Sequence, residues 1–403
     1  KDTRLSGYLY EPLVTAGFIS MGMDVILVGP LPTPAVPLMI KTLRADIGVM
    51  ITASHNTYEY NGLKFFDRTG TKLSSSIEQK VENIVLNNKK YSKVTNNTFV
   101  SGNAKRLEDA SGRYSEFLKS TLNKTSSKRK LKIVLDCANG ATYNIAPNLF
   151  WELGHNITAI NNNPDGLNIN KNCGAVDVKS LSQNVIKEKA DIGFAFDGDG
   201  DRLIVVDEEG KEVDGDKIIG LLCKSYVKPK KKSNQHDVII TVMSNMGLEK
   251  YLINKLKLKI KRTSVGDINV INQMKKSKSM IGGEQSGHII LSEHSNTGDG
   301  ILAALKITEI LISNKNKASK LFDLYNDFPQ DKINLRYKTK NNKLLKILDK
   351  LKNDKLYNNK KIRSLVRLSG TEPLVRILVE GQEIGEVKKK SQEIKKLVRP
   401  YLG

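Results

Sequence analysis

The chain has 403 residues, of which 39% are hydrophobic and 27% are charged, and its formal net charge is +22. This length and composition predict a soluble protein of two to four domains, and the sequence has no run of about 18 apolar residues that could span a bilayer. The lysines occur in short bursts among Asn and Ile, and aromatic residues make up only 6% of the chain. Because aromatic residues do not accompany the basic bursts, the charge does not predict nucleic-acid binding.

The three cysteines, Cys137, Cys173 and Cys223, are scattered and form no CxxC pair. This pattern argues against a disulfide framework or a zinc site and is typical of a reducing compartment. The first residues, KDTRLSG, lack the apolar core of a secretory signal. We therefore expect a cytoplasmic protein without a membrane partner.

A short phrase recurs along the chain, each time before a loop of polar residues. ADIG at 45–48 leads into VMITASHN, ADIG at 190–193 leads into FAFDGDGDR, and MIG at 280–282, a weaker echo, leads into GEQSGH. Each apolar run is typical of a strand, and helix-like stretches lie between the runs, which indicates α/β units. Because ligands bind at the carboxyl ends of strands in such sheets, the pattern predicts three related α/β domains with mixed sheets around a central cleft.

After Pro329 the pattern changes to a lysine-rich helix, two strand-like runs and a last amphipathic helix. This predicts a smaller C-terminal α+β domain. The expected domains are a Ser-His-Asn domain at 1–108, a DGDGDR domain at 109–208, a GEQSGH domain at 209–326 and the C-terminal domain at 327–403.

The first polar loop, Ser54-His55-Asn56, comes at the end of a predicted strand. By itself such a tripeptide is typical of a polar turn. No G-x-S-x-G motif surrounds Ser54, so an acyl-transfer nucleophile is not indicated. A serine that faces a metal loop and a phosphate-binding loop is better interpreted as a phosphoryl carrier, with Lys64 on the return strand helping to handle protons.

The second polar loop, DGDGDR at 197–202, places the carboxylates of Asp197, Asp199 and Asp201 at alternate positions between glycines. Such carboxylates can converge on one hard cation, and we expect Mg²⁺. An EF-hand is disfavoured because Arg202 stands where its turn needs glycine and because the flanks are typical of strands. A solvated acidic turn is the other alternative, and it is disfavoured because closely spaced carboxylates repel one another.

Two later loops combine donors and acceptors that suit a phosphorylated, polyhydroxylated ligand. GEQSGH at 283–288 brings both kinds of group to one loop, although His288 alone could be an ordinary interior histidine. RLSGTEP at 367–373, followed by Arg376, has the composition of a phosphate clamp, with two hydroxyls, a glycine that permits a nest of amides, and two guanidinium groups.

Four motifs, TASHN with NGLKFF, DGDGDR, GGEQSGH and RLSGTEP, occur in this order along nearly the whole chain. Together they resemble the α-D-phosphohexomutase superfamily and, within it, the bacterial phosphoglucosamine mutases, partly because Gln285 stands where the glucose and mannose branch usually has methionine. The resemblance implies reversible conversion of glucosamine 6-phosphate to glucosamine 1-phosphate through a 1,6-bisphosphate. The product would feed the synthesis of UDP-N-acetylglucosamine and so of peptidoglycan.

The resemblance also implies a role for each motif residue. The phosphoserine is Ser54, and the further catalytic residues are His55, Lys64 and Arg202. The implied Mg²⁺ ligands are Ser54, Asp197, Asp199 and Asp201. The implied substrate contacts are Arg4, Asn56, Glu284, Ser286, His288, Arg367, Ser369, Gly370, Thr371 and Arg376.

The sequence departs from the family pattern at several places. The family opens with a strand that carries a Gly-Thr-Asp-Gly-type motif, so we expect either that this sequence is a fragment or that its first domain lacks that strand. Thr57 and Leu368 stand where proline is usual, and Ile268-Asn269 stands where an arginine and an aromatic residue are usual. A phosphomannomutase/phosphoglucomutase and a phosphosugar-binding protein without turnover therefore remain as alternatives.

Overall fold

The computed structural model describes residues 1–86, 101–123, 129–227, 237–339, 341–354, 356–357, 361–369 and 373–403. The chain divides into two compact units. The first unit comprises Lys1–Thr241 and Leu258–Leu324, and the second comprises Val242–Lys257 and Tyr325–Gly403. Among the described residues, no helix is both long enough and apolar enough to cross a membrane.

The helices, in chain order, are α1 (Gly7–Ser20), α2 (Ala35–Leu43), α3 (Ser75–Leu86), α4 (Ala110–Ser120), α5 (Ile145–Glu152), α6 (Lys179–Glu188), α7 (Gly215–Tyr226), α8 (Met246–Lys250), α9 (Asp267–Ser277), α10 (Gly300–Asn314), α11 (Ala318–Phe322), α12 (Asn342–Asn353) and α13 (Ile384–Val398). The strands are β1 (Val25–Leu27), β2 (Ile47–Ile51), β3 (Leu63–Asp67), β4 (Ala104–Arg106), β5 (Lys132–Asp136), β6 (Asn156–Ile160), β7 (Ile192–Phe196), β8 (Leu203–Asp207), β9 (Glu212–Val213), β10 (Val238–Thr241), β11 (Ile260–Thr263), β12 (Ile281–Gly283), β13 (Ile289–Leu291), β14 (Gln330–Arg336), β15 (Ile362–Leu368) and β16 (Leu374–Gly381). Short 3₁₀ turns cover Gly174–Val176 and Arg399–Tyr401, and a π-helical turn covers Tyr251–Lys255.

The recurring phrase marks the same structural event three times in the first unit. The strands that begin within it, β2, β7 and β12, each pair antiparallel with the next strand, β3, β8 and β13. The polar loops are therefore the connections of three equivalent strand pairs. Two of these pairs belong to larger mixed sheets, in the orders β6-β5-β7-β8-β9 and β11-β10-β12-β13. In these sheets β5 pairs parallel with β6 and β7, and β10 pairs parallel with β11 and β12. The short strand β9 pairs antiparallel with β8. This confirms the predicted fold class of α/β domains with mixed sheets.

The first strands of the chain form two separate pairs. β1 pairs parallel with β4, and β2 pairs antiparallel with β3. A cavity of about 770 Å³ is lined by residues of both β1 and β2, among them Val25–Leu27 and Ile47–Val49. The predicted lack of an opening strand in this domain stays a prediction.

The second unit contains a three-stranded antiparallel sheet in the order β14-β16-β15. Its core joins the sheet to α12 and α13 through Leu344, Val375, Val387 and Ile394. The segment 242–257 belongs to this unit because the buried carboxylate of Glu380 accepts hydrogen bonds from the backbone N–H of Met246, at 2.8 Å, and from Arg363. The four predicted domain boundaries stay predictions.

A buried pair of polar side chains connects α4 to the start of α10. The Tyr114 hydroxyl donates to Asp299 Oδ2 at 2.9 Å, and Asp299 Oδ1 accepts from the backbone N–H of Leu302 at 2.9 Å as the N-cap of α10. Burial raises the pKa of Asp299 to about 6, although both hydrogen bonds act to lower it. Because the folded-state pKa exceeds the ordinary value of 3.8, the contribution of Asp299 to stability is largest at low pH and is lost as the pH rises through about 6.

We predict that Tyr114→Phe destabilises the fold more at pH 8 than at pH 4.5. The hydroxyl donates to a mostly neutral carboxyl at the lower pH and to a carboxylate at the higher pH, so the loss should grow from about 1 to about 2 kcal/mol. Urea unfolding at the two pH values measures the difference. Tyr10→Phe, which removes an exposed hydroxyl, is the matched control. An equal loss at both pH values would contradict the prediction.

Candidate functional site

The Ser54 loop follows β2, and hydrogen bonds hold its backbone. Ser54 has a left-handed conformation with φ 52°, and its Oγ donates to Asp197 Oδ2 at 2.7 Å. The backbone N–H of Ser54 donates to Thr52 Oγ1 at 2.9 Å, and Thr52 Oγ1 donates to Asp2 Oδ2 at 2.7 Å. The serine hydroxyl is therefore directed at the acidic loop between β7 and β8.

Arg4 lies beneath this loop and is fully buried. Its Nε donates to Asp2 Oδ2 at 2.8 Å. Its two terminal nitrogens donate to four backbone carbonyl oxygens, those of Ser54, Asn56, Thr57 and Tyr60. All five N–H groups of the guanidinium are thus used within the protein. In this structure Arg4 holds the shape of the Ser54 loop, and its predicted substrate contact stays a prediction.

Three carboxylates meet in the loop between β7 and β8. Asp197, Asp199 and Asp201 are buried, and one oxygen of each lies within 4.8 Å of the others. Asp199 Oδ1 and Asp201 Oδ1 are buried without a hydrogen-bond partner among the residues that the structure describes. Buried carboxylate oxygens need a cation or a donor, and hard divalent ions prefer such ligands. The residues present therefore fit a metal ion.

Cationic side chains offset part of this negative charge. Lys64 Nζ lies 2.6 Å from Asp199 Oδ2 and 2.9 Å from Asp201 Oδ2. Burial acts to lower the pKa of Lys64, but the two carboxylates outweigh it and raise the pKa above its ordinary value. Lys64 therefore keeps its proton in this arrangement, and its expected role in proton handling stays a prediction. Burial, followed by repulsion from Asp201 and Asp199, raises the pKa of Asp197.

Arg202 and His55 complete the surroundings of the triad. The backbone N–H of Arg202 donates to Asp197 Oδ1 at 3.2 Å, and its Nε lies 3.9 Å from Asp197 Oδ2. His55 is half-buried, and burial together with the positive charge of Arg202 lowers its pKa. His55 is therefore neutral at pH 7 and can accept a proton. Asn56, in contrast, is exposed.

The loop between β12 and β13 contacts the acidic loop between β7 and β8 through its backbone. The N–H of Leu203 donates to the carbonyl of Gly287 at 3.0 Å. Glu284 Oε1 accepts from the backbone N–H of Gly266 at 3.0 Å, and Ser286 is exposed.

His288 in the same loop faces the protein with both ring nitrogens. Its Nε2 accepts from the N–H of Gly298 at 3.1 Å, its Nδ1 lies 3.5 Å from Asp201 Oδ1, and the residue is 3% exposed. In this structure His288 supports the acidic loop between β7 and β8, and its predicted sugar contact stays a prediction.

The second unit carries the predicted phosphate clamp. Arg367 on β15 and Arg376 on β16 stand directly opposite each other in the antiparallel register. Burial, followed by the charge of Arg376, lowers the pKa of Arg367. Like charges at such a position repel, so an anion between them would be stabilising. The backbone N–H of Ser369 donates to the carbonyl of Leu374, whereas Gly370 and Thr371 lie outside the described residues.

Two residues that support the site carry no motif in the sequence. Thr33 donates through Oγ1 to Asp199 Oδ2, and its N–H donates to the Asp199 carbonyl at 2.8 Å. Asn170 Nδ2 donates to the carbonyls of Ser54, at 2.9 Å, and Asn56, at 2.8 Å. The run of asparagines at 161–172 indicates tight turns, but it does not indicate which amide reaches another loop.

The chain matches known proteins over nearly its whole length. Four phosphoglucomutase/phosphomannomutase family descriptions match the chain: alpha/beta/alpha domain I at residues 1–92, domain II at 112–210, domain III at 214–328 and the C-terminal domain at 333–397. A phosphoglucosamine mutase of Sphingopyxis alaskensis is 45% identical over 392 residues, which cover 96% of this chain and 86% of that protein.

Solved structures of related enzymes have the same fold. A phosphoglucomutase/phosphomannomutase family protein of Burkholderia thailandensis superposes with a TM-score of 0.83 at 23% identity, covering 100% of this chain and 89% of that one. The N-acetylphosphoglucosamine mutase of Aspergillus fumigatus, in complex with GlcNAc-6P and magnesium, superposes with a TM-score of 0.63 at 19% identity, covering 98% and 99%. With the identity to the Sphingopyxis enzyme extending over nearly its whole length, the chain belongs to the phosphoglucosamine mutase family.

Proposed function

We propose that this protein interconverts glucosamine 6-phosphate and glucosamine 1-phosphate through a phosphoserine at Ser54 and a 1,6-bisphosphate intermediate. The observation that carries the proposal is the hydrogen bond from Ser54 Oγ to Asp197 within a buried carboxylate triad. A serine used only for structure does not need three buried carboxylates beside it. Membership of the phosphoglucosamine mutase family supports the same reaction.

The reaction consists of two phosphoryl transfers in opposite directions. In the first, the bond between phosphorus and Ser54 Oγ breaks, and phosphorus bonds to the free hydroxyl oxygen of the sugar phosphate. The hydroxyl proton leaves at the same time, and neutral His55 is the proposed acceptor. After the bisphosphate reorients in the site, its other phosphoryl group is transferred to Ser54 Oγ, and the sugar oxygen that it leaves takes the proton back from His55. Arg202 and Lys64, both cationic, offset the charge on the phosphate oxygens.

We propose Mg²⁺ as the metal ion of the triad. Asp197, Asp199 and Asp201 would hold it, with Ser54 or its phosphate as a further oxygen ligand. When bound, the ion supplies positive charge that offsets the charge of the transferring phosphoryl group. The magnesium complex of the Aspergillus fumigatus enzyme supports this choice.

The remaining motif residues are proposed to bind the sugar and its second phosphate. Asn56 and Ser286, both exposed, offer polar groups to the sugar, and Glu284 lies in the same loop as Ser286. Arg367 and Arg376, paired across β15 and β16, are proposed to hold the phosphate that is not transferred. Ser369, Gly370 and Thr371 are proposed to contribute donors to the same phosphate.

We predict that Ser54→Ala lowers turnover by several orders of magnitude, because the variant has no hydroxyl to carry the phosphoryl group. Initial rates with glucosamine 6-phosphate and a bisphosphate primer measure the loss. Peptide mapping by mass spectrometry, with and without phosphatase treatment, should place the phosphate on Ser54. Ser20→Ala, which removes an exposed hydroxyl, is the control. A phosphate found elsewhere, together with a normal rate in Ser54→Ala, would overturn the carrier assignment.

We predict that activity requires Mg²⁺ and that Asp199→Asn lowers it by about 100-fold or more, because the cation site loses a full negative charge. Activity after exhaustive chelation and Mg²⁺ titration of the chelated protein test this. Asp165→Asn removes an exposed carboxylate from another loop and should change neither result. Full activity in excess chelator, or stoichiometric zinc by elemental analysis, would contradict the prediction.

We predict that kcat/KM is higher for glucosamine 1-phosphate than for glucose 1-phosphate or mannose 1-phosphate. Glu284 adds negative charge beside a protonated C2 amine, and the loss of one charge-assisted hydrogen bond costs about 1.5–3 kcal/mol, or roughly ten- to hundredfold. Glu284→Gln should narrow this preference. Equal or better efficiency with either hexose would remove the glucosamine assignment and leave the phosphoryl-transfer chemistry in place.

A further inference from the structure

Two side-chain nitrogens, one of a guanidinium and one of an amide, hold the backbone of the Ser54 loop from different parts of the first unit. Arg4 Nη2 donates to the carbonyls of Ser54, at 2.9 Å, and Asn56, at 2.8 Å. Asn170 Nδ2 donates to the same two carbonyls at 2.9 and 2.8 Å. We call this set of four hydrogen bonds the carbonyl bracket. Each of the two oxygens thus accepts two hydrogen bonds, which uses both of its lone pairs.

Asn170 is built into this position. It is 3% exposed, its backbone N–H donates to the carbonyl of Ala138 at 3.0 Å, and its φ of 56° lies in the left-handed region that asparagine tolerates. Gly198 in the metal loop leaves room for the contact. A Cβ at Gly198 would lie 2.6 Å from Asn170 Nδ2 and 2.7 Å from the Ser54 carbonyl. The bracket therefore forms where three loops meet: those of Ser54, Asn170 and the acidic triad.

The bracket acts on the torsion angles that direct the serine hydroxyl. Ser54 has φ 52°, a conformation that costs about 1 kcal/mol or more for a residue with a Cβ and needs external support. The two bracketed carbonyls lie at Ser54 and two residues later, so they fix the peptide planes on the carboxyl side of the serine. Arg4 alone restrains each carbonyl through one lone pair, which leaves the peptide planes able to tilt.

We propose that Asn170 is a positioning residue for phosphoryl transfer, which holds Ser54 Oγ in line with the acidic triad through the Ser54 and Asn56 carbonyls. This inference rests on the proposed function of Ser54. The Asn170 amide donates to protein carbonyls, so its loss should lower kcat and leave KM for the sugar phosphate nearly unchanged. A residue needed only for folding would instead lower the amount of folded enzyme and leave the kcat of that enzyme unchanged.

The first test is Asn170→Gly, because glycine keeps the left-handed backbone accessible while the side chain with its amide is removed. Asn172→Gly is the matched control: Asn172 lies two residues away, has φ 54° and is exposed. Rates are expressed per folded enzyme, with the folded fraction taken from urea unfolding. For Asn170→Gly we expect kcat to fall about 10- to 100-fold with KM within about threefold, since small misplacements of reacting groups have costs of this size. Asn172→Gly should retain the unsubstituted kcat.

The second test is Asn170→Asp, which keeps the side-chain shape and replaces the donor by an acceptor. A carboxylate oxygen would then face two carbonyl oxygens, so kcat should fall further than in Asn170→Gly, whereas Asn172→Asp adds the same charge at an exposed site and should not change it. Single-turnover transfer from phosphorylated enzyme to sugar phosphate should slow in parallel with kcat.

Ser54→Ala separates this inference from the proposed function. An inactive Ser54→Ala with a slowed Asn170→Gly supports both. An inactive Ser54→Ala with a normal kcat in Asn170→Gly overturns the positioning role alone. An active Ser54→Ala overturns the carrier role and, with it, the positioning role.

Discussion

The mutual repulsion of three buried carboxylates is the constraint on which the site depends. Asp197, Asp199 and Asp201 lie within one loop, away from water, and each would be destabilised if it stood charged and alone. Lys64 offsets two of them directly, and the Ser54 hydroxyl donates to the third. A divalent ion and a phosphorylated ligand are the natural further partners, because one supplies positive charge and the other needs it. Burial of the three carboxylates is unfavourable by itself, and binding of a divalent ion and a phosphorylated ligand would offset it.

The repeated strand pairs bring the remaining groups to this charge. In each of the three α/β domains, the polar loop joins two antiparallel strands at the end of the sheet, so equivalent positions of the fold supply Ser54, the triad and His288. Close packing of the loops then requires glycine. A Cβ at Gly298 would lie 2.5 Å from His288 Cε1 and 2.7 Å from the Asp201 carbonyl, and a Cβ at Gly300 would lie 2.4 Å from the Arg202 carbonyl. The short loops can support one another because these positions carry no side chain.

The sequence predicts the groups that act within one loop better than those that act between loops. The fold class and the metal-binding triad follow from local patterns, the strand periodicity and the alternation of Asp and Gly. The roles of Arg4 and His288 do not, because residue type indicates a polar contact without telling whether the partner is a ligand or the protein. Arg4 donates to four carbonyls at least 50 residues away as well as to Asp2, and Asn170 acts on a loop 116 residues away. The Arg4 contacts depend on how the first domain folds back on itself, and the Asn170 contact depends on how the first two domains pack together. Local sequence patterns encode neither.

The demands of phosphoryl transfer explain why several buried side chains of the site bind backbone carbonyls. The reaction needs little covalent chemistry from the protein, so its rate depends on the alignment of donor oxygen, phosphorus and acceptor oxygen and on the offset of charge. A serine side chain has a single rotatable bond before its oxygen, and the position of Oγ is therefore set mainly by the peptide planes around it. Arg4 and Asn170 act on those planes by donating to backbone carbonyls. Thr33 acts on the triad by donating to Asp199. In this site, side chains that bond to backbone carbonyls and to the triad set the position of Ser54 Oγ.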